Sequence, residues 1–290
     1  MREIWEQAIA EVIGTFALVF IGAGSVVILG GSANAAGLVG IALAHGLVLA
    51  IMISNLGHIS GGHFNPAVTI STWVAGKIET IRAGWYILAQ LFGAVIGALL
   101  LRASLPERIW RQTNLGSTTV SHQFGITNGK AVLIEAILTF FLVITVFAVA
   151  IDDRGVFKAL AGLPIGLVLT FDIIVGGLLT GASMNPARSF GPALVSGTWT
   201  DYWVYLAGPL AGGIIAAAVY WFAFLRGRDV AAPRTEAPIG GGPEEDLPAG
   251  PDEGLRMGSE DDETAEDDEA LAGSDADLTA GSAEEGPTEP

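Results

Sequence analysis

Phe64-Asn65-Pro66-Ala67-Val68-Thr69 and Met184-Asn185-Pro186-Ala187-Arg188-Ser189 decide how this chain folds. Each is a helix start, since asparagine is a preferred N-cap and proline a preferred first helical residue. The two runs end at Gly76 and Gly197, after about ten residues, or roughly 15 Å of helix. That is half the ~30 Å hydrocarbon core of a bilayer. Upstream, Ser60-Gly61-Gly62-His63 and Gly181-Ala182-Ser183-Met184 suit tight re-entrant turns. A single Asn-Pro-Ala reads as an ordinary loop-to-helix boundary. Two copies, 120 residues apart, read as half-helices that meet at their N-termini inside a membrane. Gly191-Pro192 is expected to kink the second of them.

Six apolar runs surround these motifs. Val12–Leu29, Gly37–Asn55, Ala83–Leu101 and Tyr202–Leu225 contain no Asp, Glu, Lys or Arg; Ala131–Ile151 holds only Glu135 and Ala159–Thr180 only Asp172. Each is long enough, or nearly so, to span a bilayer. The first is too long, and too acidic before its apolar run, for a cleaved signal peptide. The chain also repeats itself. Ala10-Glu11-Val12-Ile13-Gly14-Thr15-Phe16 returns as Ile134-Glu135-Ala136-Ile137-Leu138-Thr139-Phe140. Each half, about 5–110 and 129–226, holds three spans and one Asn-Pro-Ala. Three is odd, so the second half enters the membrane inverted, and such repeats place a solute site near the midplane. The expectation is an all-α membrane protein of six transmembrane helices and two re-entrant half-helices.

Charge divides the chain in two. Residues 229–290 carry 20 of the 30 acids against Arg234 and Arg256 alone, while residues 1–228 have 10 acids and 12 bases. The tail cannot bury enough apolar surface to order itself, so 229–290 reads as an acidic, disordered spacer behind a channel domain at 1–228. A nearly neutral, glycine-rich, apolar body excludes a nucleic-acid partner, and the lack of cysteine excludes thiolate sites and disulfides. No enzyme motif, cofactor site or metal site is expected. Basic residues number seven on the side of the termini and five on the other, which places both termini in the cytoplasm of a multi-pass cell-membrane protein.

Beyond these readings, the stretches Gly57–Thr69 and Ser183–Pro192 resemble the aquaporins, the major intrinsic protein family, over residues 5–226. The resemblance implies a right-handed six-helix bundle, a homotetramer and one pore per subunit. It also implies that Glu11 and Glu135 accept hydrogen bonds from the buried re-entrant backbone. His63 reads as a brace at the inner mouth. The family's narrowest constriction falls, by the resemblance, at His45, Ile173, Ala182 and Arg188, with loop residue His122 a further candidate. Histidine at the first position and an aliphatic at the second resemble the plant tonoplast intrinsic proteins. Ser189 follows Arg188 where glycerol channels carry aspartate, although Leu206 departs from the water-channel pattern.

The implied function is a passive channel for water and small neutral solutes, with ammonia, hydrogen peroxide or urea as companions of water. Asn65 and Asn185 cap their own helices and keep amide hydrogens for the lumen, which interrupts a proton wire. A neutral His45 nitrogen either accepts from ammonia or donates to it. The alternatives are a strict water channel, an ion-coupled secondary transporter using Glu11, Glu135 and Asp172, and a structural membrane protein whose pore is incidental. Asp172 is expected to be an acid satisfied within the bundle.

Overall fold

Six helices long and apolar enough to cross a membrane run Glu3–Leu29, Ala36–Ser60, Thr80–Ser104, Asn128–Ile151, Gly162–Thr180 and Val204–Leu225. The computed structural model describes residues 2–30, 35–155 and 158–226. The acidic segment 229–290 lies outside them. Among the described residues there is no strand. The first four helices extend past their apolar runs, the first beginning at Glu3 rather than at Val12, while the fifth and sixth begin two or three residues inside theirs, at Gly162 and Val204.

Both half-helices form. The first, Pro66–Val74, is capped by Asn65, whose side chain accepts from the Ala67 N–H; the second, Pro186–Ser196, is capped by Asn185, which accepts from the Ala187 and Arg188 N–H groups. Both asparagines have extended backbone, as an N-cap requires. The second half-helix ends at Gly197 in the left-handed conformation and runs through Pro192 as one helical element. The glycine of the Gly191-Pro192 pair serves close packing: a Cβ there would stand 2.3 Å from the Ala94 carbonyl oxygen of the third span.

Packing follows the repeat. The first span lies along the third and the fourth along the sixth, while the second and fifth lie along each other. Each half-helix docks on a span of the other repeat, the first on the sixth and the second on the third. Gly46 and Gly166 are repeat equivalents and face one another. A Cβ on Gly46 would meet the Gly166 carbonyl oxygen at 2.4 Å, and one on Gly166 the Gly46 carbonyl oxygen at 2.3 Å. Small residues let backbones approach this closely, which is how helices associate where lipid removes the hydrophobic drive between them. Side chains such as Leu47, Phe92, Leu133, Phe171 and Ile215 remain exposed on the outer faces, where hydrocarbon is the matching solvent.

Candidate functional site

The two re-entrant loops need support, because backbone at membrane depth has no water to bond. Their strain is explicit: Phe64, Ala182 and Met184 hold φ of 47°, 44° and 53° although none is glycine. One carboxylate braces each loop. Glu11 Oε1 accepts from Ser60 Oγ (2.7 Å) and His63 N (3.0 Å), and its Oε2 accepts from Phe64 N (2.7 Å) and Gln90 Nε2 (2.7 Å). Glu135 Oε1 accepts from Thr180 Oγ1 (2.7 Å) and Ser183 N (2.9 Å), and its Oε2 from Met184 N (2.8 Å). Tyr86 and Tyr205 donate to the carbonyls of Ser60 and Thr180, each at 2.7 Å. The loops are thus held by equivalent partners in the two repeats, apart from Gln90, which only the first possesses.

At the centre the asparagines exchange bonds. Asn65 Nδ2 donates to the Met184 carbonyl at 2.8 Å and Asn185 Nδ2 to the Phe64 carbonyl at 2.9 Å. With the side-chain oxygens spent on the caps, each amide retains one N–H. Both residues line a cavity of about 350 Å³. It runs from Lys77, Ile78 and Arg82 at one mouth, past the Gly61–His63 loop and both asparagines, to His45, Ala182 and Arg188. Its walls between these polar points are aliphatic, among them Leu18, Leu142, Leu49 and Leu169.

The far end is narrowed by one contact. Arg188 Nη2 lies 3.2 Å from His45 Nε2, and Arg188 Nη1 donates to the Gly116 carbonyl at 2.8 Å. His45 Nδ1 lies 2.9 Å from the Ile41 carbonyl oxygen, which can only accept. The proton therefore sits on Nδ1, and Nε2 is an acceptor that takes the arginine's hydrogen. His45 does not choose between donating and accepting; its backbone partner fixes the tautomer. Arg188 Nε–H is buried and has no hydrogen-bond partner among the described residues.

A family model described as the major intrinsic protein matches residues 1–220. The chain belongs to the major intrinsic protein family, the aquaporins. Aquaporin TIP4-4 of Zea mays is 43% identical over 217 residues, covering 73% of this chain and 84% of the relative. Probable aquaporin TIP3-2 of Arabidopsis thaliana is 42% identical, covering 73% and 81%. Aquaporin-4 of Mus musculus is 41% identical, covering 77% and 68%. Among solved structures, an aquaglyceroporin from Plasmodium falciparum superposes with a TM-score of 0.67 at 25% identity, over 75% of this chain and 95% of that one. The aquaporin fold is therefore shown, and the family is one of membrane channels for water and small solutes rather than of enzymes.

Within this aquaporin the remaining candidates take distinct places. His63 Nδ1 lies 3.0 Å from Thr69 Oγ1. Thr69 spends its hydrogen on the Asn65 carbonyl and accepts from Gln90, so Nδ1 of His63 is the donor. Ile173 is buried in the apolar core that also contains Ala182, and is not among the described residues lining the cavity.

His122 does not join the constriction. Its Nδ1 pairs with the Ile126 carbonyl at 2.9 Å and its Nε2 with Asp201 at 2.7 Å, and Asn128 holds the other Asp201 oxygen at 2.7 Å. The ring is exposed, because the loop turns it toward the start of the sixth span. Asp172 also differs from expectation. It is fully buried, and neither carboxylate oxygen has a hydrogen-bond partner among the described residues. Its neighbours one turn away, Val168, Leu169 and Gly176, are apolar and offer no side-chain donor.

The His122–Asp201 pair carries a pH expectation. Asp201 raises the His122 pKa, and His122 lowers that of Asp201. A raised histidine contributes stability fully below its unfolded value and loses it as pH rises through the folded value; the lowered aspartate loses its contribution as pH falls through its own folded value. The loop is therefore tied most firmly between those limits. NMR titration of His122 is expected to give a lower pKa in Asp201→Asn than in the parent; equal values would mean that the two do not pair in solution.

Several supports have no signature in sequence. Gly116 supplies the carbonyl that holds Arg188, from a turn in which Asn114 and Leu115 also have positive φ. Thr118 bonds Ser189 at 2.7 Å, which in turn meets Ser183. The nearest sequence signal was Gly116 itself, a glycine two residues after Asn114, and it points to a turn without pointing to the arginine.

Proposed function

We propose that this chain is a passive channel for water and small neutral solutes, ammonia among them, that excludes protons and ions. The observation that carries the reading is the reciprocal asparagine pair on one lumen with Arg188. A water accepting one N–H from each asparagine has both lone pairs occupied, so its hydrogens point outward and the proton wire is broken there. The two helix N-termini each bring roughly half a positive charge to the same point, and Arg188 adds a permanent one. Glu11 and Glu135 have their oxygens engaged by loop donors and are not among the described residues lining the cavity, which counts against an ion-coupled transporter. In reconstituted vesicles, light scattering is expected to show non-saturating water flux with low activation energy and no dependence on a proton or sodium gradient. Saturation or gradient dependence would reject the channel reading.

Ammonia follows from the donor and acceptor pattern at the constriction. His45 Nε2 is an acceptor once Arg188 Nη2 yields it, and the Nη2–H so released is a donor. Ammonia has hydrogens for the first and a lone pair for the second. Ammonium lacks the lone pair and meets the arginine's charge. The second reading, a strict water channel, is favoured by the same His45–Arg188 contact, since a solute must displace it. An ammonium-chloride jump separates them: internal alkalinisation faster than in protein-free vesicles is expected. His45→Phe, which removes the Nε2 acceptor, is expected to suppress that entry while water flux persists. Ammonia entry at the protein-free rate in the parent would leave the strict water channel standing. Hydrogen peroxide and urea are lesser candidates for the same lumen. We place both termini in the cytoplasm, on the seven-to-five basic count, and the assembly as a homotetramer in the cell membrane, with 229–290 as a spacer.

A further inference from the structure

The His45 ring is bounded on one side by a residue outside the lumen. Gly22 lies in the first span, inside Leu18–Ala23, where the helix widens into a π segment. Such segments often mark functional positions. A Cβ built on Gly22 would stand 2.6 Å from both Cδ2 and Nε2 of His45 and 3.1 Å from Cε1. Carbon atoms at van der Waals contact stand about 3.5–4.0 Å apart, so a methyl group there and the ring in its present place exclude each other. The three nearest atoms all belong to that ring. Gly22 is not one of the glycines with positive φ, so the backbone does not require glycine. A mid-helix glycine is less favourable than alanine, and what this one provides is room.

The ring has nowhere neutral to go. Nδ1 is tied to the Ile41 carbonyl at 2.9 Å, and Nε2 is the atom that meets Arg188 at 3.2 Å. His45 and Arg188 line the cavity, and Gly22 is not among the described residues that do. Moving the ring away from the first span breaks one of these bonds and carries imidazole toward the opening. We infer that Gly22 is a specificity-determining positioning residue: its missing side chain sets where His45 stands, and hence the width of the constriction and whether Nε2 meets Arg188. This rests on the reading that His45 and Arg188 form the filter.

A double-mutant cycle in reconstituted full-length protein tests it. Water and urea flux are measured for the parent, Gly22→Ala, His45→Ala and the double variant, each normalised to inserted protein. Gly22→Ala is expected to lower water flux by about tenfold, the scale of overpacking in a tight site, and urea flux by more. The same change in the His45→Ala background is expected to alter neither flux beyond twofold, because the ring it would strike is gone. Equal losses in both backgrounds would make Gly22 a helix-packing residue and overturn the inference, as would no loss in either. A Gly22→Ala protein that fails to insert while the double variant inserts and conducts supports it; failure of both overturns it. If His45→Ala alone leaves the urea-to-water ratio unchanged, the filter reading itself falls, and the specificity role of Gly22 with it.

Discussion

An Arg188→Val channel is expected to pass neutral solutes larger than water and to leak protons or cations, while still inserting and conducting water. The substitution removes a unit charge and the group that closes on His45 at 3.2 Å. At an effective dielectric constant of about 20, a unit charge ~5 Å from a permeating ion raises its energy by roughly 3 kcal/mol. That corresponds to about two powers of ten in rate, an upper bound because the asparagines and helix ends stay in place. Folding is expected to tolerate the loss. The groups left behind are the Gly116 carbonyl and the His45 Nε2 lone pair, both acceptors, and acceptors are under-satisfied at less cost than donors. Arg188→Lys separates charge from shape: it keeps the cation and loses the fork, so ion exclusion is expected to persist while solute selection relaxes. Urea or glycerol swelling assays and a trapped pH dye read both effects. If Arg188→Val matches the parent in both assays, the permeation path does not pass this arginine.

Wherever one local rule decided a feature, it was legible in the sequence. The half-helices were, because Asn-Pro sets an N-terminus and Gly76 and Gly197 set ends, and both appear where the pattern placed them. Glu11 and Glu135 were legible as a pair because the repeat aligns them, and their braced loops are equivalent bond for bond in most respects. What was hidden depends on partners far along the chain. Gln90 reaches Glu11 across 79 residues, and Arg188 reaches Gly116 across 72. No periodicity or spacing encodes such pairs. His122 was misplaced for the same reason: its nearness in sequence to the fourth span said nothing about Asp201, 79 residues on.

Asp172 failed in a different way. The rule that a buried carboxyl finds donors is a statement about averages, and burial without a partner costs several kcal/mol. The fifth span offers apolar residues around it, and Glu135, which repels it through space, already serves the second loop. Sequence showed an acid in a span; it did not show that the span's neighbours would leave it unpartnered. The tautomer of His45 was similarly out of reach. It depends on the pairing of Nδ1 with a carbonyl four residues earlier on the same helix, and the arginine that Nε2 meets stands 143 residues later.

The loop carboxylates are expected to produce the largest loss of stability of any single change in the lumen's scaffold. Glu11→Ala strands four donors, Ser60 Oγ, His63 N, Phe64 N and Gln90 Nε2. Glu135→Ala strands three, Thr180 Oγ1, Ser183 N and Met184 N. A buried donor left without an acceptor costs about 1–3 kcal/mol, so either change removes an amount comparable with the ~5–15 kcal/mol that holds a typical domain together. Both proteins are expected to lose water flux and to unfold at lower temperature in detergent, Glu11→Ala by the wider margin because Gln90 has no counterpart in the second repeat. Glutamine is expected to rescue neither site. Its amide nitrogen must face a backbone N–H, at Phe64 or His63 in one loop and at Met184 or Ser183 in the other, so one donor meets another where an acceptor stood. This outcome separates a scaffold from a proton carrier. A carrier made Glu135→Gln would insert normally, keep the parent's melting temperature and lose only its response to a proton gradient. A braced loop made Glu135→Gln loses its geometry first, since Ala182 and Met184 hold positive φ only while something on the fourth span accepts from the Ser183 and Met184 N–H groups.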